Sequence, residues 1–300
     1  MNEKESFNAE SNINDVIHDS AFDNYGRLIF PVDMEIEDNL KLKDVSSILP
    51  WYSEVNTDKT VEIVNYMKNQ AMNGEQIFYP IYSEKEMQAD ADKKDTGLFF
   101  FRGNAGAKTT IINAGGGFVY VAGIHDSFPH ALELSKKGYN AFALIYRPGA
   151  QTACEDLARA IAFFHENAEK LQIDMTDYSL WGGSAGARMA AWLGSYGTAY
   201  FGEKEYPAPA AVIMQYTGLS QVTGMEPPTY ACVGTSDGIA SYRSMENYIS
   251  QIQQNGPNTK IEVFKGLSHG FGLGEGTVAE GWIDRAISFW EDNMNALDKR

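Results

Sequence analysis

The chain has 300 residues, of which 44% are hydrophobic and 12% aromatic, a composition typical of a globular protein rather than a disordered one. With 40 Asp and Glu residues against 24 Lys and Arg, the formal net charge is -16, which excludes binding of nucleic acid or an anionic membrane through clustered positive charge. No apolar run is long enough to span a bilayer, and the polar residues 1–14 lack the pattern of a signal peptide.

These features favour a cytoplasmic protein, the alternative being a secreted protein whose signal peptide has been removed. Two cysteines, Cys154 and Cys232, are too few for a disulfide framework, and both fall within predicted regular elements. We therefore expect them to be small buried side chains. Because no Cys/His cluster has metal-binding spacing, the sequence predicts neither a metal site nor a cofactor.

In chain order, a loosely patterned segment comes first, and it holds one helical pattern from Thr57 to Met72. We expect residues 1–75 to form an N-terminal extension that packs on the core and partly covers the site, and residues 76–300 to form the main domain. Apolar runs typical of strands follow at Gln76–Tyr82, Gly97–Phe101, Thr109–Asn113, Asn140–Tyr146, Tyr178–Trp181, Ala211–Gln215, Thr229–Val233 and Lys260–Phe264.

Helical stretches alternate with the later strands, which implies an α/β fold with a mostly parallel sheet covered on both faces. The early strands have short links and predict an antiparallel start. One helix is expected from Phe128 to Lys137, ending at Gly138, and another is expected to begin with a capping box of Thr152 and Glu155.

Three glycines, Gly115 to Gly117, follow the predicted strand Thr109–Asn113. Glycines at such a place let the backbone approach a bound molecule closely and turn its N–H groups toward it. The alternative is a phosphate-binding turn, but neither G-x-G-x-x-G nor G-x-x-x-x-G-K-[ST] occurs there. The pattern therefore favours a loop that stabilises a developing oxyanion.

The segment Gly182-Gly183-Ser184-Ala185-Gly186 lies between an apolar run and a small-residue stretch that is typical of a helix. A strand that turns sharply into a helix needs small neighbours, because larger side chains would collide where the backbone doubles back. The residue at the apex then projects its hydroxyl at the positive end of the helix. Ser184 is thus a candidate nucleophile, the alternative being an ordinary Gly/Ser turn.

Two further residues complete the set that a serine nucleophile needs. Asp237 directly follows the strand Thr229–Val233, and His269 lies in a glycine-flanked loop after the last predicted strand. Both therefore project from the carboxyl ends of strands, where such sheets hold their active sites. Asp237 before a glycine is also a common turn residue. Another acid, Asp156, is expected in the first turn of a helix for structural reasons.

The order of glycine loop, Ser184, Asp237 and His269 resembles that of the α/β-hydrolase fold. From about residue 76 to 295 the chain is similar to the esterase/lipase group that includes hormone-sensitive-lipase-like esterases and acetyl-xylan and feruloyl esterase-like enzymes. The resemblance implies an eight-stranded, mostly parallel sheet with helices on both faces. Its most specific segments are Ile112–Phe118, Tyr146–Arg147, Glu155–Ile161, Trp181–Gly186, Gly234–Asp237 and His269–Gly270.

By this resemblance, Ser184, His269 and Asp237 form a catalytic triad, and the amides of Gly116, Gly117 and Ala185 form the oxyanion hole. The family's usual histidine before the three glycines is Ala114 here, so the loop lacks that side-chain brace. From their positions near the predicted site, we also expect five side chains to line the substrate pocket: Tyr120, His125, Phe128, Tyr146 and Arg147.

The resulting hypothesis is a serine esterase that cleaves short-chain acyl esters, acetyl esters of carbohydrates among them, through an acyl-enzyme. The short sequence between Leu193 and Ala211 leaves no room for a large internal lid. A small-molecule ester is the expected partner, and homo-oligomerisation stays open. Two alternatives remain, an oligopeptidase-like serine peptidase and a non-catalytic hydrolase fold that binds a ligand. The first usually carries a propeller domain, and the second commonly lacks the nucleophile or the base.

Overall fold

A computed structural model describes residues 6–295 of the chain. In chain order its strands are β1 (Phe78–Tyr79), β2 (Gly97–Phe101), β3 (Lys108–Asn113), β4 (Asn140–Ile145), β5 (Asp174–Gly183), β6 (Ala211–Gln215), β7 (Thr229–Gly234) and β8 (Thr259–Phe264). Within the described range they form an eight-stranded sheet in the order β1-β2-β4-β3-β5-β6-β7-β8. The predicted α/β-hydrolase architecture is thereby confirmed.

The sheet is antiparallel at one side and parallel elsewhere. Strand β2 pairs antiparallel with β1 and with β4, whereas the other neighbouring strands run parallel. Both β2 and β4 are buried along their whole length, as strands covered on both faces must be. Because β4 and β5 flank β3 on opposite sides, a crevice opens at the carboxyl end of β3, where such sheets bind ligands.

The helices lie between the strands and before them. They are α1 (Ile13–Ile17), α2 (Thr57–Met72), α3 (Glu84–Ala89), α4 (Gly123–Asp126), α5 (Phe128–Lys136), α6 (Ala150–Leu171), α7 (Ala185–Tyr196), α8 (Tyr242–Gln254) and α9 (Trp282–Asp292). Short 3-10 segments occupy Ser20–Ile29, Leu42–Ile48, Ala91–Asp95 and Ala199–Phe201. The predicted bounds of α2 are confirmed, and Asn56 caps this helix by accepting a hydrogen bond from the Lys59 amide at 3.1 Å.

The predicted start of α6 is wrong. The helix begins at Ala150, so Thr152 lies inside its first turn and makes no capping box with Glu155. Asp156 consequently falls in the second turn, not the first, and its side chain is fully buried. There its carboxylate pairs with the Arg147 guanidinium at 2.7 Å and accepts the Arg147 amide at 2.8 Å. The position of Asp156 is therefore explained by a specific ion pair rather than by the helix dipole.

Both cysteines are free and buried, as expected. Burial raises the pKa of the Cys154 thiol to about 12, so it remains protonated at neutral pH. The pKa of Cys232 is also raised well above its usual range by burial. Neither thiol therefore has the thiolate character that a nucleophile needs.

Candidate active site

Four loops that carry the predicted site residues lie at one edge of the sheet. The glycine loop follows β3, Ser184 follows β5, Asp237 follows β7 and His269 follows β8. These strands are parallel, so their carboxyl ends share this edge. The fold thus assembles residues that are far apart in the sequence.

The turn from β5 into α7 is strained at its apex. Ser184 has φ 51° and ψ -120°, a backbone conformation that non-glycine residues rarely adopt. A Cβ atom on Gly182 would overlap the backbone of Gly186, and one on Gly186 would overlap the carbonyl of Asn113. The glycines are therefore required by close backbone packing around the serine, as the sequence pattern predicted.

Ser184, His269 and Asp237 form one hydrogen-bonded chain. His269 Nε2 lies 3.1 Å from Ser184 Oγ, and His269 Nδ1 lies 2.7 Å from Asp237 Oδ2. Because a carboxylate only accepts, Nδ1 carries the proton and leaves Nε2 free to accept from the serine hydroxyl. The other carboxylate oxygen, Asp237 Oδ1, accepts the amides of Ile239 at 2.8 Å and Ala240 at 2.7 Å.

The glycine loop approaches the serine from β3. Gly116 and Gly117 have φ values of 133° and 66°, which turn successive peptide groups in a way that favours glycine. The Gly115 amide is taken up by Asp126 Oδ2 at 2.8 Å. Within residues 6–295, the amides of Gly116, Gly117 and Ala185 donate to no protein oxygen. These are the three amides that the sequence assigned to the oxyanion hole.

Asp126, which the sequence analysis did not single out, lies buried beneath this loop. Besides the Gly115 amide, its carboxylate accepts the hydroxyls of Tyr52, at 2.7 Å, and Tyr216. Burial raises the pKa of both tyrosines well above its ordinary value, so both hydroxyls remain protonated donors. Asp126 thereby holds the glycine loop in place through its side chain. Ala114, which has no polar side chain, cannot do so. The polar pair His125-Asp126 in an otherwise apolar stretch was the signal available in the sequence.

The N-terminal segment contacts both sides of the candidate site. Ser53 Oγ donates to the His269 carbonyl at 2.7 Å, and the Ser53 amide donates to the Gly270 carbonyl at 3.3 Å. Trp51, half-exposed, stacks on Tyr120 with ring centroids 6.0 Å apart and lies against Gly117. Residues 51–53 thus lie against the histidine loop and the glycine loop together.

Ser184 opens into a cavity of about 210 Å³. Its wall includes Gly117, Phe118, Ala185, Arg188, Tyr216 and Ile239. A second cavity, of about 260 Å³, shares Arg188 and Gly218 with the first and extends along α7 past Trp192. The connection from α7 to β6 spans residues 197–210, and its one regular element is the 3-10 turn Ala199–Phe201.

The five side chains expected to line the substrate pocket lie outside the cavity at Ser184. Phe128 packs in the core against Phe99, at a centroid distance of 5.0 Å. The Tyr146 hydroxyl donates to the Ala114 carbonyl and Arg147 pairs with Asp156.

The other two of these side chains, Tyr120 and His125, form hydrogen bonds to backbone carbonyls of segments near the site. The Tyr120 hydroxyl donates to the Pro50 carbonyl at 2.6 Å. His125 Nε2 lies 2.8 Å from the Gly270 carbonyl, and burial lowers the pKa of this histidine, so the neutral ring donates there. None of the five lines the cavity at Ser184, since their hydroxyls, rings and the Arg147 guanidinium are engaged with other parts of the protein.

Among residues 6–295, no group of three or more His, Cys, Asp or Glu side chains is arranged to hold a metal ion. In the same range, no helix combines the length and apolarity needed to cross a membrane.

Comparison with known proteins gives one family match and several solved structures of the same fold. Residues 102–229 match the model of the BD-FAE family, the bifunctional feruloyl and acetyl xylan esterases. No curated protein matches the chain significantly. Among solved structures, an acetyl ester-xyloside bifunctional hydrolase from Caldicellulosiruptor lactoaceticus is similar with a TM-score of 0.63 and 19% identity, over 73% of this chain and 97% of that one.

Two other solved structures share the fold. A propionate-bound esterase from Thermogutta terrifontis is similar with a TM-score of 0.57 and 18% identity, over 66% of this chain and 89% of that one. An α/β hydrolase, MGS-M1, from a Medee basin deep-sea metagenome library has a TM-score of 0.53 and 18% identity, over 66% of this chain and 92% of that one.

The protein therefore has the α/β-hydrolase fold, and its residues 102–229 are similar to a family of esterases. The segment that matches the BD-FAE model includes the glycine loop and Ser184, whereas Asp237 and His269 lie beyond it.

Proposed function

We propose that the protein is a serine esterase that cleaves small acyl esters through a covalent acyl-enzyme on Ser184. The observation that carries this proposal is the hydrogen-bonded chain from Ser184 Oγ to His269 and on to Asp237, at 3.1 and 2.7 Å. These distances are within the range needed for proton transfer from a nucleophile to its base.

In the first half of the reaction, Ser184 Oγ attacks the ester carbonyl carbon while His269 Nε2 takes the hydroxyl proton. Asp237 stabilises the imidazolium that forms. The tetrahedral intermediate collapses when His269 gives its proton to the leaving alcohol oxygen, which leaves the acyl group on Ser184. Water, activated by the same histidine, then attacks the acyl-enzyme and releases the acid and free Ser184.

The negative charge that develops on the carbonyl oxygen is stabilised by the amides of Gly116, Gly117 and Ala185. None of the three amides has an acceptor among residues 6–295, and Ala185 begins α7, so the helix dipole also favours an anion there. Residues 51–53 of the N-terminal extension act with them, because they support the histidine loop and partly cover the glycine loop.

The substrate is a small acyl ester, and acetyl esters of carbohydrates are the class we favour. The cavity of about 210 Å³ at Ser184 is smaller than the roughly 300–1,000 Å³ of most ligand pockets. The relative from Caldicellulosiruptor lactoaceticus is described as an acetyl ester-xyloside hydrolase, and the Thermogutta terrifontis esterase holds propionate. Both names are consistent with a short acyl group.

A series of 4-nitrophenyl esters tests this proposal. We expect acetyl or propionyl esters to have the highest kcat/KM, with a decline as the chain lengthens, because a small cavity buries few added methylenes. Each methylene that a longer groove buried would instead add about 0.8 kcal/mol of binding. A steady rise of kcat/KM through octanoate would contradict the short-acyl proposal. Lack of activity on every ester, including acetylated xylo-oligosaccharides, would contradict the proposed esterase function.

Asp126→Asn tests whether the buried carboxylate positions the oxyanion loop. We expect kcat to fall about tenfold to a hundredfold with little change in KM, since loss of one oxyanion donor costs about 10²–10³ in other enzymes. The matched control is Tyr178→Phe, which removes a buried tyrosine bond to the Pro207 carbonyl on the other side of the fold. The control should lose similar stability and keep its kcat. A folded Asp126→Asn variant with unchanged kcat would show that the carboxylate only stabilises the fold.

A further inference from the structure

Arg188 lies one helical turn after Ser184 on α7, so its side chain is on the same side of the helix. It is half-buried, and it borders both the cavity at Ser184 and the adjoining cavity of about 260 Å³. A molecule bound at Ser184 and extending into the second cavity must therefore pass this guanidinium.

The guanidinium has no charged partner in the described part of the chain. Its Nη2 donates to the Gly218 carbonyl at 3.2 Å, and no carboxylate of residues 6–295 lies within 4 Å. By contrast, Arg27, Arg147, Arg159 and Arg285 each pair with an acid. In a chain with a formal net charge of -16, one positive group beside the candidate nucleophile is thus left without an anionic partner in the part that the structure describes.

One acid borders the second cavity, and its carboxylate is already engaged. Glu226 borders the second cavity, but its carboxylate accepts the Thr223 amide, the Thr223 hydroxyl at 3.0 Å and the Gly224 amide at 3.0 Å. It serves to fold its own loop. The remaining N–H donors of Arg188 are therefore available to a ligand.

We propose that Arg188 forms a subsite for a carboxylate carried by the ester substrate. A guanidinium presents a planar fork of donors that matches a carboxylate or a phosphate. Arg188 is the only basic residue among the described residues that line the two cavities, and one positive charge matches one carboxylate better than a doubly charged phosphate. This proposal rests on the proposed esterase function and refines its substrate to esters of acidic compounds.

The carboxylate can lie on either side of the scissile bond, so the test uses one substrate pair for each side. On the alcohol side, 4-acetoxybenzoate is compared with the neutral isostere 4-acetoxybenzamide. On the acyl side, monomethyl glutarate is compared with methyl 4-carbamoylbutanoate. For one of the two pairs we expect Arg188→Gln to lower kcat/KM at least about tenfold on the carboxylate and less than about twofold on the amide.

Arg243→Gln is the matched control, because the substitution removes the same charge from an exposed residue that borders neither cavity. It should leave both substrates of each pair unchanged. A second measurement compares salt dependence: between about 0.05 and 0.5 M salt, the ratio of wild-type to Arg188→Gln kcat/KM on the favoured carboxylate should fall, because the net charge of -16 acts on both proteins nearly alike.

The two proposals fail in different ways. Equal losses on carboxylate and amide would overturn the subsite, since Arg188 would then serve every ester, and so would the absence of any loss on both carboxylates. In both of those cases the neutral esters are still cleaved, so the esterase proposal stands. If the wild type cleaves none of the four esters nor any nitrophenyl ester, both proposals are wrong.

Discussion

Ser184→Ala is expected to lower kcat for ester cleavage by about a thousandfold or more, while the fold stays intact. Only a hydroxyl is lost, at the open apex of the turn, but it is the atom that forms the acyl bond in the proposed reaction. The measurement is steady-state cleavage of 4-nitrophenyl acetate, with circular dichroism to check the fold. Ser288→Ala, which removes an exposed hydroxyl bonded to the Asp284 carbonyl in α9, is the matched control and should remain fully active.

His269→Ala should cost as much as the serine change, and the double variant should be no worse than either single one. Nucleophile and base act as one unit, so their losses do not add. A fluorophosphonate probe should label Ser184 in the wild type and nothing in Ser184→Ala. Covalent labelling of any other residue, or additive losses in the double variant, would sink the assignment of this pair.

Arg147→Met is expected to have the largest effect on stability, about 3–5 kcal/mol of the free energy of unfolding. The change leaves the Asp156 carboxylate, which is fully buried, without the guanidinium that pairs with it at 2.7 Å. Tyr82 donates to the same carboxylate at 2.6 Å, but a neutral hydroxyl replaces little of the lost charge. Urea unfolding followed by tryptophan fluorescence gives the free energy directly.

Arg27→Met provides the matched control for this measurement. Arg27 pairs with Asp95, but both side chains are about 40% exposed, and such surface pairs contribute roughly 0–1 kcal/mol. Replacing both partners, as in Arg147→Met with Asp156→Leu, should recover much of the lost stability because no buried charge remains. A loss below about 1 kcal/mol for Arg147→Met alone would mean that water or another group already compensates Asp156.

The strands were predictable because each is a short apolar run between turn residues, and burial of such a run does not depend on knowing its partners. The bounds of β2 and β6 match the predictions residue for residue. The start of α6 was not predictable in the same way. Thr152 and Glu155 have the spacing of a capping box, but the backbone turns earlier, at Gly149 with φ 92°. A local pattern therefore gave way to the geometry of the preceding loop.

The candidate site likewise contains residues that the sequence could predict and residues that it could not. Ser184, Asp237 and His269 could be named because each lies in the loop after a predicted strand, and strand ends converge in a parallel sheet. Tyr52 lies in no recognisable motif, and Asp126 is marked only as a charged residue in an apolar stretch. Nothing in the sequence indicates the bond between them, which joins residues 74 positions apart. Aromatic residues near the glycine loop, such as Tyr120, were expected at the substrate, but proximity in sequence does not tell which way a ring faces.

The hydrogen bond from Ser53 to His269 joins residues 216 positions apart, and Ser184 lies 85 positions before the histidine. During synthesis on the ribosome, Ser184, the proposed nucleophile, therefore emerges well before His269, its proposed base. Ser53 emerges earlier still and has no partner until the loop that holds His269 has been made. A nascent or truncated chain that lacks the last loop has a serine without a base. In the proposed mechanism, hydrolysis therefore begins only after the loop that holds His269 has been synthesised and has folded against Ser53.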